Sequence, residues 1–230
     1  MDDLPVAIIL YVVFLFSVTV HEAGHAWAAL RGGDSTAYAG GQVSLDPRPH
    51  IQREPFGTVV VPLIGIAMSG FPIGWASTPY DPDWAYAYPK RAAWMALAGP
   101  AANLALLLLA AVFIRIGLAA GVFEPGFYSI TRLVVAAPGA DAVVGTLAML
   151  VSGLYGMNLL LLVLNLIPVP PLDGSGVIGL FLDDDTARRL QTAVGQGSLA
   201  LFGLLVAFVA IREGFWPILI ATLDVLFLGV

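Results

Sequence analysis

"VFLFSVTVHEAGHAWAAL", Val13 to Leu30, sets the pattern HEAGH inside a run that is otherwise apolar. His21 and His25 are four residues apart, so a helix puts them on one face, close enough to share one metal ion. Glu22 is the next residue round and can reach a water on that metal without ligating it. Zinc brings the pKa of such a water toward about 7, and a carboxylate can then take its proton. A short HExxH pattern arises by chance in many chains; its position gives this one weight. Ionisable residues inside a transmembrane helix are costly and mark functional sites. The plainer alternative is two histidines and a glutamate satisfying one another inside a helix bundle.

The composition makes the membrane reading independent of any motif. The chain has 230 residues, 59% hydrophobic and only 11% charged, with mean hydropathy +0.88. A soluble domain carries about 25% charged residues, so this is an integral membrane protein. No polar stretch is long enough for a second domain, and we expect one membrane-embedded domain over 1–230. Its core would cover about 4–178 and its C-terminal membrane segment about 197–228. The net charge of −6 argues against nucleic acid as a partner, because phosphate binding needs a basic patch. With no cysteine, disulfides and thiolate ligands are excluded, and any metal must be held by histidine and carboxylate. The N-terminal MDDLP lacks the basic start of a signal peptide, so the run after it is expected to be a membrane helix.

Residues 4–30, 91–118 and 145–167 each supply the roughly 20 apolar residues of a spanning helix. Residues 56–75 are also apolar, but Pro62, Gly65, Gly70 and Pro72 interrupt them. Irregular backbone at membrane depth must be covered by protein or line a water cavity, so this segment is expected to be re-entrant or interfacial. Residues 197–228 hold Arg212, Glu213 and Pro217 in their middle and form either one kinked helix or a hairpin of two. The fold class is therefore an all-α polytopic membrane protein with a three-helix core. In 32–54 the run "GGQVSLDPRPHIQRE" suggests a short strand, with Gly40 to Leu45 its strand-like part. Residues 77–88, "STPYDPDWAYAY", read as an interfacial loop. If the first helix runs inward, Arg31, Arg48, Arg53, Lys90, Arg91, Arg188 and Arg189 are all cytoplasmic, while Arg132 lies outside with Arg115 near the outer end of its helix. That is the asymmetry of the positive-inside rule, and it puts the motif on the cytoplasmic side of a plasma membrane.

Two histidines need a third ligand. The only other histidine is His50, in a polar loop, whereas "NLIPVPPLDGSG", 165–176, brings Asp173 to the end of a spanning helix. Its prolines stop the helix and Gly174 allows a tight turn. His21 lies nine residues before Leu30, roughly 14 Å below the helix end, so Asp173 must fold back into the protein to meet it. The competing reading is an ordinary helix stop with a solvated aspartate. In "ALAGPAANLAL", 96–106, Pro100 frees the carbonyl of Ala96, and Ala92, Ala96, Gly99 and Ala102 allow close helix approach. Asn103 then either orients substrate or a tetrahedral intermediate or makes an interhelical hydrogen bond. Asn158 and Asn165 face the same choice, with Asn165 placed to hold the proline turn in shape.

Together HEAGH at 21–25, GPAAN at 99–103 and NLIPVPPLDG at 165–174 resemble the site-2 protease family of intramembrane zinc metalloproteases. "LDPRPHI", "GTVVVPLI" and "GWASTPYDP" resemble the intervening region of its small bacterial and archaeal members. The chain shows no PDZ-like insertion between Leu118 and Gly145 and no C-terminal CBS pair. After LDG it reads SGV where many relatives have glycine and arginine. The resemblance implies a three-helix core with one zinc on His21, His25 and Asp173, and Glu22 as general base and later proton donor. Asn103 and Asn165 match positions associated with substrate binding or transition-state support. Its substrates would be transmembrane or membrane-anchored proteins in the lipid bilayer. Two readings compete with it: a metal transporter, which would need a string of polar residues across the bilayer, and an inactive protease-like scaffold, against which the intact HE..H and Asp173 weigh.

Overall fold

Twenty-nine residues without a proline after Pro5 and without a charged residue before Glu22 form the first helix, α1 (Leu4–Gly32). The computed structural model describes residues 4–126, 129–195 and 199–229. Three short helices follow, α2 (Thr36–Ala39), α3 (Pro47–Arg53) and α4 (Val61–Ser69), the last entered through a π turn at Phe56–Val60. Then come α5 (Pro82–Ala87), α6 (Pro89–Ala119), the strands β1 (Phe123–Pro125) and β2 (Val134–Ala136), and α7 (Ala142–Asn165). The chain ends with α8 (Asp173–Val177), a 3-10 turn at Ile178–Leu180, α9 (Asp184–Gly195) and α10 (Ala200–Leu226). Among the described residues four helices, α1, α6, α7 and α10, are long and apolar enough to cross a membrane. The structure is thus an all-α polytopic membrane protein with one small antiparallel sheet, in which Phe123 pairs with Ala136.

Helix α6 is the axis of the bundle, and small residues decide how closely its neighbours approach. A Cβ on Gly24 of α1 would lie 2.9 Å from the carbonyl of Ala98 and 3.2 Å from the Cβ of Ala102. On another side of α6, a Cβ on Gly176 would lie 2.8 Å from the Cβ of Ala96. This seam of alanine and glycine draws α1 and α8 onto the same stretch of α6, where larger side chains would hold the helices apart. Val13, Phe14 and Val18 of α1 pack on Met157 of α7. Further along, Leu107 and Ile114 of α6, Tyr155 and Leu159 of α7, and Phe215, Leu219 and Leu223 of α10 share a second core.

The interrupted segment 56–75 returns on itself. Gly70, at φ +74°, ends α4, and the Trp75 N–H donates to the Gly57 carbonyl at 3.1 Å. Glycine is required on both arms: a Cβ on Gly57 would overlap Trp75, and one on Gly74 would overlap the Gly57 carbonyl. The feet of the hairpin meet, with Arg53 Nε donating to Ser77 Oγ (3.1 Å) and Ser77 Oγ to Glu54 Oε1 (2.6 Å). The segment therefore enters and leaves at the same end of the molecule.

One expectation changes and one open choice closes. Residues 40–45 form turns, not a strand, because Gly41 sits at φ +74° and the Gln42 N–H closes back onto the Ala37 carbonyl. The C-terminal segment is a single helix from Ala200 to Leu226, with Pro217 inside it; residues 196–198 lie outside the described residues.

Candidate metal centre

His21 and His25 are both buried on the face of α1 that meets α6. Their Nε2 atoms are 3.0 Å apart. Asp173, the first residue of α8, turns its Oδ2 to within 3.0 Å of His21 Nε2 and 3.3 Å of His25 Nε2. The aspartate does fold back into the bundle. A Cβ on Gly174 would overlap the carbonyls of Ile167 and Leu166, so the close pass of α8 under the end of α7 needs glycine there. The reason is steric proximity, not an unusual φ.

The protonation pattern of the histidines follows from their other nitrogens. His25 Nδ1 lies 2.7 Å from the Met95 carbonyl, an acceptor only, so Nδ1 carries the proton. That carbonyl belongs to the residue before Ala96, whose carbonyl Pro100 frees. For His21 the assignment runs through two asparagines. The Leu154 carbonyl can only accept, so Asn158 donates to it with Nδ2 (2.8 Å), while the same Nδ2 meets Ser17 Oγ at 3.0 Å. Asn158 Oδ1 then accepts from Asn103 Nδ2 (2.8 Å), which leaves Asn103 Oδ1 to accept from His21 Nδ1 at 2.5 Å. In the neutral imidazoles both Nε2 atoms are then lone pairs facing the carboxylate.

With both imidazoles neutral, three electron-pair donors thus face one another at 3.0, 3.0 and 3.3 Å. Asp173 Oδ2 is buried and has no hydrogen-bond donor. Such a triangle repels itself unless a cation sits at its centre. Zinc–nitrogen and zinc–oxygen bonds of 2.0–2.1 Å in a tetrahedron put ligand atoms about 3.3 Å apart, which these separations approach. Gly99 leaves the space open: a Cβ there would overlap His25 Nε2 and lie 2.6 Å from His21 Nε2. The donor set and the cradle fit a metal ion of the zinc type.

Glu22 belongs to the same cluster, its carboxylate within 4.8 Å of the histidine nitrogens. Asp173 nonetheless lies closer to both imidazoles, and the Glu22 carboxylate is taken up elsewhere. The Thr78 hydroxyl lies 2.7 Å from Glu22 Oε2 and 3.0 Å from the Glu22 carbonyl, pinning the side chain beside the metal position. Glu22, His25 and Asp173 open onto a cavity of about 710 Å³, lined also by Tyr80, Tyr86 and Leu190.

The remaining sequence candidates are placed elsewhere. His50 is buried in α3 and donates its Nε2 proton to the Ser44 carbonyl at 3.1 Å, away from the cluster. Asn103 is fully buried with both ends of its amide engaged, one on His21 and one on Asn158. Asn165 ends α7, and among the described residues its side chain makes no hydrogen bond. Sequence reasoning missed Thr78, whose only sign was a hydroxyl in the loop 77–88. It also treated Gly99 as a packing residue and not as the floor of the site.

A sequence profile of peptidase family M50 matches residues 9–209. A Mycobacterium tuberculosis protein named "Putative zinc metalloprotease Rip2" is 34% identical over 205 residues, covering 88% of this chain and 67% of its own length. A Bacillus subtilis protein named "Putative zinc metalloprotease YwhC" is 29% identical over 225 residues, covering 96% of this chain and 90% of its own. No solved structure matches. The match runs through HEAGH, GPAAN and the LDG turn alike, and the chain belongs to peptidase family M50, the site-2 protease family.

Proposed function

We propose that this metalloprotease homologue binds one zinc ion through His21, His25 and Asp173 and hydrolyses peptide bonds of transmembrane or membrane-anchored proteins near the cytoplasmic face of the bilayer. The observation that carries the reading is the buried triangle of His21 Nε2, His25 Nε2 and Asp173 Oδ2, three lone-pair donors closing on one point. When bound, zinc supplies Lewis-acid chemistry, acidifying a water and polarising a carbonyl. Glu22 takes the proton of the attacking water and returns it to the leaving amine, and Thr78 holds its carboxylate ready for both transfers. Asn103 and Asn158 hold His21 in the tautomer that offers Nε2. Asn103 therefore acts as a positioning residue for His21.

A substrate helix must unwind before a peptide bond can enter the cavity. The extended chain at 76–81 forms one wall beside Glu22 and is suited to lie along such an unwound strand. The cytoplasmic placement is supported by where the basic residues gather. Arg91 donates to the Gly32 carbonyl at the end of α1, Arg188 to the Tyr86 carbonyl, and Lys90 to the carbonyls of Gly179, Leu180 and Leu182, all at the end of the bundle that holds the cavity. The test is cleavage of a transmembrane substrate by purified protein reconstituted with zinc, compared with Glu22→Gln. Cleavage that survives the substitution unchanged removes Glu22 as the base. Zinc binding without cleavage of any of a panel of membrane substrates favours a scaffold.

A further inference from the structure

Helix α9 is brought to the cavity by contacts between small residues that follow α6 away from the metal position. Gly99 lies under the two imidazoles, and Gly176 of α8 packs on Ala96. A Cβ on Gly179 would lie 3.2 Å from the Cβ of Ala93 and 3.9 Å from that of Ala187 in α9. From Gly99 to Ala93 is six residues, roughly 9 Å along the α6 axis. Polar contacts then hold α9 in place. Arg188 donates from Nε to the Tyr86 carbonyl (3.1 Å), and Asp183 accepts from the Thr186 N–H (2.9 Å) and hydroxyl (2.7 Å). Lys90 holds the turn before the helix through the carbonyls of Gly179 and Leu180. The helix is thus a fixed wall of the cavity.

Gln191 stands four residues after Ala187, hence on the same face of α9, and lines the same cavity as Glu22, His25 and Asp173. Its Oε1 is buried and has no hydrogen-bond partner. The neighbouring lining residues Ala92, Ala96, Gly179, Ala187 and Leu190 have no side-chain donor to offer it. Buried polar atoms are normally paired, and an exception asks for a reason. The terminal torsion of a glutamine is broad, so a rotation turns the carboxamide into the cavity that the side chain already lines.

We propose that the Gln191 carboxamide binds the main chain of the unwound substrate, with Oε1 accepting a peptide N–H and Nε2 donating to a peptide carbonyl. The inference rests on the zinc-protease reading above and names what holds the substrate beside the metal. A helix that unwinds bares N–H and C=O groups that neither lipid nor an apolar wall can satisfy. A carboxamide offers the complement of both. Ala187 lies about three extended residues from the metal position and Gln191 one helical turn from Ala187, so the contact falls within about five residues of the cut bond. Contact with the main chain reads no side chain. Gln191 therefore selects stretches that unwind, not a particular sequence.

Binding to the zinc-loaded full-length protein, read by calorimetry, tests this without cleavage. The probes are acetohydroxamate, which reports the metal alone, and hydroxamates carrying a five-residue alanine–leucine peptide at either end. Acetohydroxamate should bind wild type, Gln191→Leu and Gln191→Met alike, which also shows that both variants fold. The peptide arm should strengthen binding to wild type, and both variants should lose about tenfold of that gain. Methylating the arm's nitrogens one at a time should weaken wild type about tenfold at one position and leave the variants unchanged there. An arm that adds nothing in wild type, or adds as much in the variants, overturns the proposal. So does a methylation pattern identical in all three proteins. Failure of acetohydroxamate to bind wild type strikes the zinc reading itself, and this inference falls with it.

Discussion

Buried polar groups in the three-helix core of α1, α6 and α7 and exposed polar groups on α10 obey opposite rules. In the core, Ser17, Asn158, Asn103 and His21 form a continuous chain of hydrogen bonds that ends on a nitrogen lone pair. On α10, Arg212 and Glu213 face outward with one long contact between them. The core spends its polar groups on holding a reactive geometry still, since an unpaired polar group in a dry interior costs about 1–3 kcal/mol. The outer helix carries no such network among the described residues.

This contrast can be broken or sharpened by substitution. The largest effect is expected at Glu22→Gln, which should lower cleavage of a reconstituted transmembrane substrate by about 10²- to 10⁴-fold while zinc stays bound. Gly99→Ala should lower zinc affinity about 100-fold, measured by competition with a chelator, because its methyl group takes the space between the two imidazoles. Asn103→Leu removes the acceptor for His21 Nδ1 and should cost about 10-fold in the same assay. A loss at Asn103 equal to that at Gly99 would place the asparagine on the metal or substrate itself.

A smaller effect is expected where the core meets the polar end. Burial alone would raise the Asp34 carboxyl, but hydrogen bonds from the Thr36 hydroxyl and N–H and from the Asp81 N–H outweigh it and hold it below the usual aspartate range. Its contribution is complete above the unfolded value of about 3.9 and is lost as pH falls toward the lower folded value. Asp34→Asn should therefore cost about 1–2 kcal/mol at neutral pH and flatten the fall in stability below pH 4, followed by thermal unfolding across pH. The smallest effect is expected at Phe208→Ala on the outer face of α10, with cleavage within about twofold of wild type.

Much of this was legible in the sequence, for stated physical reasons. Helical spacing alone puts His21 and His25 on one face, and depth arithmetic alone requires Asp173 to turn back. The interruption of 56–75 by proline and glycine announces a segment that does not cross. Less was legible where the deciding contact joins distant stretches. Thr78 meets Glu22 from 56 residues away, and Asn158 meets Ser17 from 141, so nothing local marks either. Residues 40–45 alternate like a strand, but φ +74° at Gly41 turns the chain. In α10 the charges and Pro217 left one kinked helix and a hairpin of two equally open, and packing of Phe215, Leu219 and Leu223 in the core shared with α6 and α7 carries a single helix through.

Metal content of purified wild type, Asp173→Ala and His50→Ala tests the central claim most directly. One zinc per chain is predicted in wild type and His50→Ala, and its loss in Asp173→Ala. Zinc retained at full occupancy in Asp173→Ala, or lost in His50→Ala, would contradict the triangle of donors on which the account rests.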